Sequence, residues 1–312
     1  MTAPSPAFPG IHAGHTIAPA RTPAFHERLT MNTLRTRSLL LLAVAAAALP
    51  GAALAAQECK HAEPRQLAFD TTGVTSLRFE VNSHDLRLAG APGHAGALKG
   101  RACASDPALL RQLTLTQQRE GDALVVRLQR EGNTGLGGLF SGNSYAWLDI
   151  AGSVPDGIPV QVRVGSGDAA VSGVASLSAD IGSGDLDVRR VKGLVDARIG
   201  SGDLKLQDVG ALRIGSIGSG DLKGEGVAGP VTVGSVGSGD LELSRVRGNV
   251  SIASVGSGDV GLADVGGSIV IDVIGSGDVD ARNVAGSLTV KAKGSGDVRH
   301  RDVRGPVNLP RR

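Results

Sequence analysis

The chain has 312 residues, a hydrophobic fraction of 41% and a formal net charge of +2, enough apolar material for a sizeable core and too little charge for a grip on nucleic acid. Its 46 glycines contrast with five Phe, one Tyr and one Trp, and no aromatic residue follows Trp147. Large rings normally fill the irregular gaps of a globular core, so their absence from Leu148 to Arg312 points to a narrow core of constant section built from Val, Ile, Leu and Ala.

Residues 1–30, rich in Pro, His and Ala, read as an over-extended start or a disordered leader. From Met31, Arg35 and Arg37 precede an apolar run from Leu39 to Leu49, and Ala53-Leu54-Ala55 offers a small-residue cleavage site. That is the pattern of a secretory signal peptide over 31–55; the run is shorter than the ~20 residues a bilayer span needs. Cys59 follows Ala56-Gln57-Glu58, which is not the small-residue context of a lipid-attachment cysteine. The mature protein is therefore expected to start near Ala56, exported to the periplasm or the cell surface, with no stable membrane span after cleavage. Its two cysteines, Cys59 and Cys103, are expected to form a disulfide in an oxidising compartment. His61 beside Cys59 is too small a ligand set to suggest a metal.

Residues 56–148 read as a less regular β-rich portion. Leu77, Phe79 and Val81 alternate, Asn82-Ser83-His84-Asp85 follows, and Leu86 and Leu88 alternate again. Leu113–Gln117 and Leu124–Leu128 flank Glu120-Gly121-Asp122, which predicts a hairpin. A glycine-rich stretch, 132–144, leads to Phe140, Tyr145 and Trp147. These rings are the candidate partner contact, stacking on a sugar or docking a protein; the competing expectation is that they plug the end of the column.

Residues 149–312 are a repeat. GSGD occurs eight times, starting at Gly165, Gly182, Gly200, Gly218, Gly237, Gly256, Gly275 and Gly294. In the unit Asp240–Val255, apolar residues fall at Leu241 and Leu243, then Val246, then Val250 and Ile252, then Val255. Such short period-two pairs predict strands. A strand with two or three inward residues cannot bury itself, so coils must stack on a shared column. The fold class is all-β, a parallel β-solenoid or β-helix with coils of about 18–19 residues, spaced ~4.8 Å apart. Glycine is expected in the turns for its access to positive φ, with Ser and Asp bonding neighbouring backbone N–H groups. NSHD reads as a decayed GSGD, so the repeat extends backwards. Lys293 in the slot of Val255 and Ile274, His300 in an inward slot, and Pro306 and Pro310 mark the last coil as a cap against edge pairing.

The run Val160-Gln161-Val162-Arg163-Val164 leading into Gly165-Ser166-Gly167-Asp168, with the iterated coils behind it, resembles the bacterial putative-adhesin β-strand-repeat family, whose function is unknown, and the related toastrack domains of envelope proteins. The resemblance covers about Leu67 to Leu309. It implies a β-solenoid of the bacterial cell envelope, adhesive or stress-related, and no common catalytic residues.

The iterated carboxylates Asp168, Asp185, Asp203, Asp221, Asp240, Asp259, Asp278 and Asp297, stacked at coil spacing, would repel by about 0.9 kcal/mol per neighbouring pair in bulk water. They are expected to face solvent and cap N–H groups of their own turns. A row of cations such as Ca²⁺ is the sharper alternative, although calcium-binding rolls use a nine-residue GGxGxD period. Gly256-Ser257-Gly258-Asp259-Val260-Gly261 matches a dinucleotide fingerprint by letter, but is one repeat copy among eight with no helix expected after it. Ser83-His84-Asp85 holds triad residue types, yet triads are assembled in space.

No acid is singled out for chemistry, so the chain reads as a non-enzyme without catalytic residues, resident metal or cofactor. The function expected is a non-catalytic exported adhesin-like binding or structural module whose partner is an envelope protein or glycan. An envelope-stress or scaffold protein of the periplasm is the close rival, and a polysaccharide-active β-helix enzyme the alternative of another class.

Overall fold

The computed structural model describes residues 59–93, 95–132 and 144–311. The signal-peptide segment and Phe140 lie outside the described residues. The first strands are β1 (His61–Asp70), β2 (Ser76–Asn82), β3 (Asp85–Ala91) and β4 (Ala95–Ala104), followed by the one-turn helix α1 (Pro107–Leu110), then β5 (Leu113–Glu120), β6 (Ala123–Arg130) and β7 (Ala146–Pro155). The repeats supply β8 (Val160–Val164), β9 (Ala169–Ser172), β10 (Leu177–Ile181) and two long strands that run through a corner, β11 (Leu186–Ile199) and β12 (Leu204–Ile217). Next come β13 (Leu222–Val227), β14 (Val231–Val236), β15 (Leu241–Val246), β16 (Val250–Val255), β17 (Val260–Val265) and β18 (Ile269–Ile274). The last are β19 (Val279–Val284), β20 (Leu288–Lys293), β21 (Val298–Val303) and β22 (Val307–Asn308).

Each repeat makes one coil with two sides, and each side pairs in parallel with the same side of the next coil. One wall runs β8, β10, the second half of β11, the second half of β12, β14, β16, β18, β20 and β22. The other runs β9, the first halves of β11 and β12, then β13, β15, β17, β19 and β21. Like stacks on like: Leu222, Leu241 and Val260 occupy successive rungs of one column, Val231, Val250 and Ile269 of another. Residues 241, 243, 246, 250, 252 and 255 are all at most 2% exposed, so this coil donates six aliphatic side chains to a core that needs no aromatic ring. The parallel β-solenoid read from the spacing is the fold found.

The N-terminal portion shares that column in an order the chain does not follow. The NSHD turn joins β2 to β3, and this coil lies directly beneath β8 and β9, with Leu77 under Val160 and Leu86 under Ala169. The repeat does extend backwards, across a gap of roughly 70 residues. Beneath it sit β6 and β7, parallel to β2 and β3, although they come later in sequence. The predicted β5–β6 hairpin is present, antiparallel, with Leu115 opposite Leu128. β4 pairs antiparallel with β7, and β1 antiparallel with β4, so the direction of pairing reverses at this end. Edge strand β1 carries Pro64, and β5 is largely exposed with the polar sequence TQQRE; both devices blunt an edge against further pairing. One apolar cluster runs from Phe69 to Val290.

Opposite the GSGD corner, every coil places a residue at positive φ just before the valine that is its third inward residue. The column comprises Gly173, Arg190, Asp208, Gly226, Arg245, Asp264, Asn283 and Asp302. Six of these eight are Gly, Asn or Asp, the types that enter the left-handed region at least cost. The bulge lets the strand turn the corner while Val191, Val209 and their equivalents still point inward. In the last coil His300 is exposed, and Lys293 folds over the final turn, donating to the Gly296 carbonyl at 2.7 Å.

Candidate functional site

The GSGD corner is the most regular surface of the molecule. The glycine at its third position is buried in every coil, and a Cβ there would come within 1.8–2.0 Å of a backbone oxygen of the equivalent residue one coil below. Positive φ is the reason expected for these glycines, and it is not the one found: none of the GSGD glycines lies in the left-handed region. Close stacking of backbone on backbone requires them instead. The rule also explains the exception. His84 occupies the third position of NSHD, the lowest of the stacked turns, where no GSGD turn lies beneath; Gly167 above it would clash with the His84 carbonyl if it carried a Cβ.

The aspartates form a ladder. The Asp185 N–H donates to Asp168 Oδ1, Asp203 to Asp185, Asp221 to Asp203, and so on to Asp297 on Asp278, at 2.8–3.3 Å. Each backbone carbonyl of the same residues accepts from the coil below, as Asp259 O does from the Leu241 N–H at 2.9 Å. This corrects the expectation that each carboxylate caps its own turn: the N–H it satisfies belongs to the next coil, because a stacked turn brings that group closer than any in its own loop. A hydrogen bond to a charged acceptor contributes about 1.5–3 kcal/mol, which outweighs the ~0.9 kcal/mol of repulsion between neighbours. The carboxylates thus join coils rather than push them apart. Among the described residues, no group of three or more His, Cys, Asp or Glu is arranged to hold a metal ion.

Asp240→Ala removes the acceptor for the Asp259 N–H and should lower stability by about 1–3 kcal/mol. Asp240→Asn keeps an amide oxygen in place and relieves repulsion, so urea unfolding should find it within about 1 kcal/mol of the parent. Equal losses in the two variants would show that charge, and not the acceptor, carries the effect.

Two shifted groups meet at the base of this edge. His84 is 2% exposed, and its Nδ1 accepts the Leu148 N–H at 3.3 Å. Burial first, and the Arg130 charge second, lower its pKa to about 4. Burial raises Asp85, while the Asp168 backbone N–H pulls it the other way. Ser83 bonds Ser166 Oγ at 3.1 Å, so Ser83, His84 and Asp85 are each committed to neighbouring coils and do not form a catalytic relay. His84 carries a pH consequence. Its folded-state value lies below the ordinary 6.5, so between pH 6.5 and 4 the unfolded chain binds the proton and the folded one does not. Stability is complete above pH 6.5 and falls as pH drops towards 4, by about 3 kcal/mol if nothing else titrates. His84→Gln should flatten the slope of unfolding free energy against pH across that window.

The disulfide joins Cys59 to Cys103, whose Cα atoms are 5.4 Å apart. Trp147 lies opposite Cys103 in the β4–β7 register, and Tyr145 packs on Trp147 with ring centroids 5.1 Å apart. The Lys60 N–H donates to the Tyr145 hydroxyl at 3.1 Å. Both rings are half-buried beside the disulfide, whereas the inward positions of β7 are Leu148 and Ile150. The rings therefore do not plug the column; the aromatic filling at this end comes from Phe69 and Phe79. Gly256–Gly261 leads into strand β17, not a helix, which removes the dinucleotide reading.

Outward columns contrast with inward ones. Ala170, Asp187, Lys205, Lys223, Glu242, Gly261, Asp280 and Arg299 stack in register on one wall yet mix acidic, basic and small residues. Shallow surface grooves line the stack, one of about 580 Å³ bordered by Asp208, Arg245, Arg247 and Asp264. The positive-φ column is the feature sequence reasoning missed, and its signal was present in the Gly, Asn and Asp that precede the valine at the third inward position.

No family model matches the chain, and no curated protein matches it. Similar solved structures include a putative lipid binding protein from Parabacteroides distasonis, 16% identical, covering 80% of this chain and 98% of that one, with a TM-score of 0.41. A putative adhesin from Bacteroides fragilis is 15% identical over 79% and 97% of the two chains, with a TM-score of 0.40. A putative adhesin from Parabacteroides merdae is 11% identical over 78% and 97%, with a TM-score of 0.45. At these values the likenesses carry no argument about what this chain does. Among the described residues, no helix is long and apolar enough to cross a membrane.

Proposed function

We propose that the protein is a non-catalytic, exported cell-envelope module, an adhesin-like β-solenoid that presents its outward columns to an envelope protein or glycan. One observation carries this reading: inward residues stay aliphatic from coil to coil, whereas the outward column from Ala170 to Arg299, away from the GSGD corner, mixes acidic, basic and small residues. A scaffold held constant inside and varied outside is what surface recognition requires, because specificity comes from side chains that the core does not constrain. The Cys59–Cys103 disulfide fits an oxidising compartment, as does the signal-like segment over 31–55.

Protease shaving of intact producing cells, with antibody detection of the chain, tests it. Loss of the protein from unbroken cells is the expected result. Complete protection until the outer layer is breached would remove adhesion and leave a periplasmic scaffold.

A further inference from the structure

Charge is distributed unevenly along the stack. Residues 144–290 hold 11 Lys and Arg against 18 Asp and Glu, a net −7, while residues 291–312 hold seven Lys and Arg against two Asp, a net +5. The acidic stretch forms the coils from β7 to β20 and the basic one the C-terminal tip, while the N-terminal layers, residues 59–132, hold ten Lys and Arg against eight Asp and Glu. Some tip cations are engaged: Arg299 pairs with Asp278 at 3.1 Å and Lys291 with Asp272 at 2.8 Å. Arg301 meets Asp302 only at 3.9 Å. Arg304 and Arg311 make no ion pair among the described residues.

The same tip is apolar where the rest of the surface is not. Among the described residues three large aliphatics are exposed, and two of them, Val307 at 36% and Leu309 at 39%, belong to the last turn. Arginine on a terminal strand by itself serves to block edge-to-edge pairing, and like charge excludes a second copy docking end-on. Blocking does not call for two exposed aliphatics among the arginines; that combination is what an anionic lipid surface attracts, by charge at a distance and by apolar contact on arrival.

We propose that the C-terminal tip, through Arg301, Arg304, Arg311, Val307 and Leu309, docks on an anionic lipid surface, with the acidic body of the rod held away from it by repulsion.

The test is sedimentation of the purified full chain with phosphatidylglycerol vesicles and with phosphatidylcholine vesicles. Comparing variants of the full chain cancels any contribution from residues 1–58. Wild type should partition onto phosphatidylglycerol, weakly or not at all onto phosphatidylcholine, and lose its binding at 0.5 M salt, a test condition at which the Debye length falls below about 8 Å. Each of Arg301→Gln, Arg304→Gln and Arg311→Gln should weaken partition by about fivefold. Leu309→Asp should weaken it further, and Arg304→Lys should retain it. All positions are exposed, and an unchanged far-ultraviolet spectrum verifies the fold. Vesicle binding that the tip variants leave intact overturns the proposal. So does tip-dependent binding of a soluble acidic polysaccharide without vesicle binding, which would assign the tip to a glycan. Aggregation of the Gln variants with no vesicle binding by wild type would reduce the arginines to edge protection. The envelope reading stands or falls separately, on the shaving experiment.

Discussion

Gly239→Ala is expected to cost more than about 4 kcal/mol and to leave little folded protein, because the new methyl would sit 1.9 Å from the Gly220 carbonyl oxygen, in an overlap that no side-chain rotation relieves. The obstacle is backbone on both sides, so the coils would have to separate, breaking the Gly239 N–H bond to Gly218 O and the Asp240 N–H bond to Asp221 Oδ1. Ser238→Ala, one residue away on the exposed face, should change stability by no more than about 0.5 kcal/mol. Urea unfolding of the pair measures the contrast. A folded Gly239→Ala with near-parent stability would mean that the stack tolerates local opening and that the repeated glycine has some other origin.

Loss of the Cys59–Cys103 link should produce the second large effect. It closes a separation of 44 residues, for which the chain-entropy relation gives about 4 kcal/mol, with 2–4 kcal/mol typical of measured cases. The loss should be local. Each coil touches only its neighbours, so a solenoid transmits stability by nearest-neighbour contact, and β1 with β4 forms the outermost layer of one wall. Hydrogen exchange on Cys59→Ser/Cys103→Ser should therefore show faster opening of β1 and β4 with β15–β18 still protected. Uniform deprotection of all strands would show instead that the column unfolds as one cooperative unit.

The repeat made most of the fold legible. Alternation at Leu241 and Leu243 and the recurrence of GSGD at nearly constant spacing specify strands and corners, because a period-two pair between glycine turns has only stacking as a way to bury itself. The break at the last coil was legible too, since Lys293 and His300 interrupt an otherwise aliphatic pattern. The site was less so. That Tyr145 and Trp147 lie beside a disulfide, with Phe69 and Phe79 filling the end of the column, depends on which face of β7 points inward. A one-residue change of register exchanges the two faces, and the irregular segment before β7 has no repeat to set that register.

Local chemistry thus determined the aliphatic column and the coil period. Tertiary structure alone decided that β6 and β7 pack beneath β2 and β3 against chain order, that each aspartate reaches across to the next coil, and that His84 stands where the repeat demands glycine. The physical reason is common to all three. Each depends on what lies one layer above or below, a neighbour roughly 5 Å away in space and 17 to 83 residues away in the chain, and nothing in a residue's own sequence neighbourhood states whether that layer is occupied.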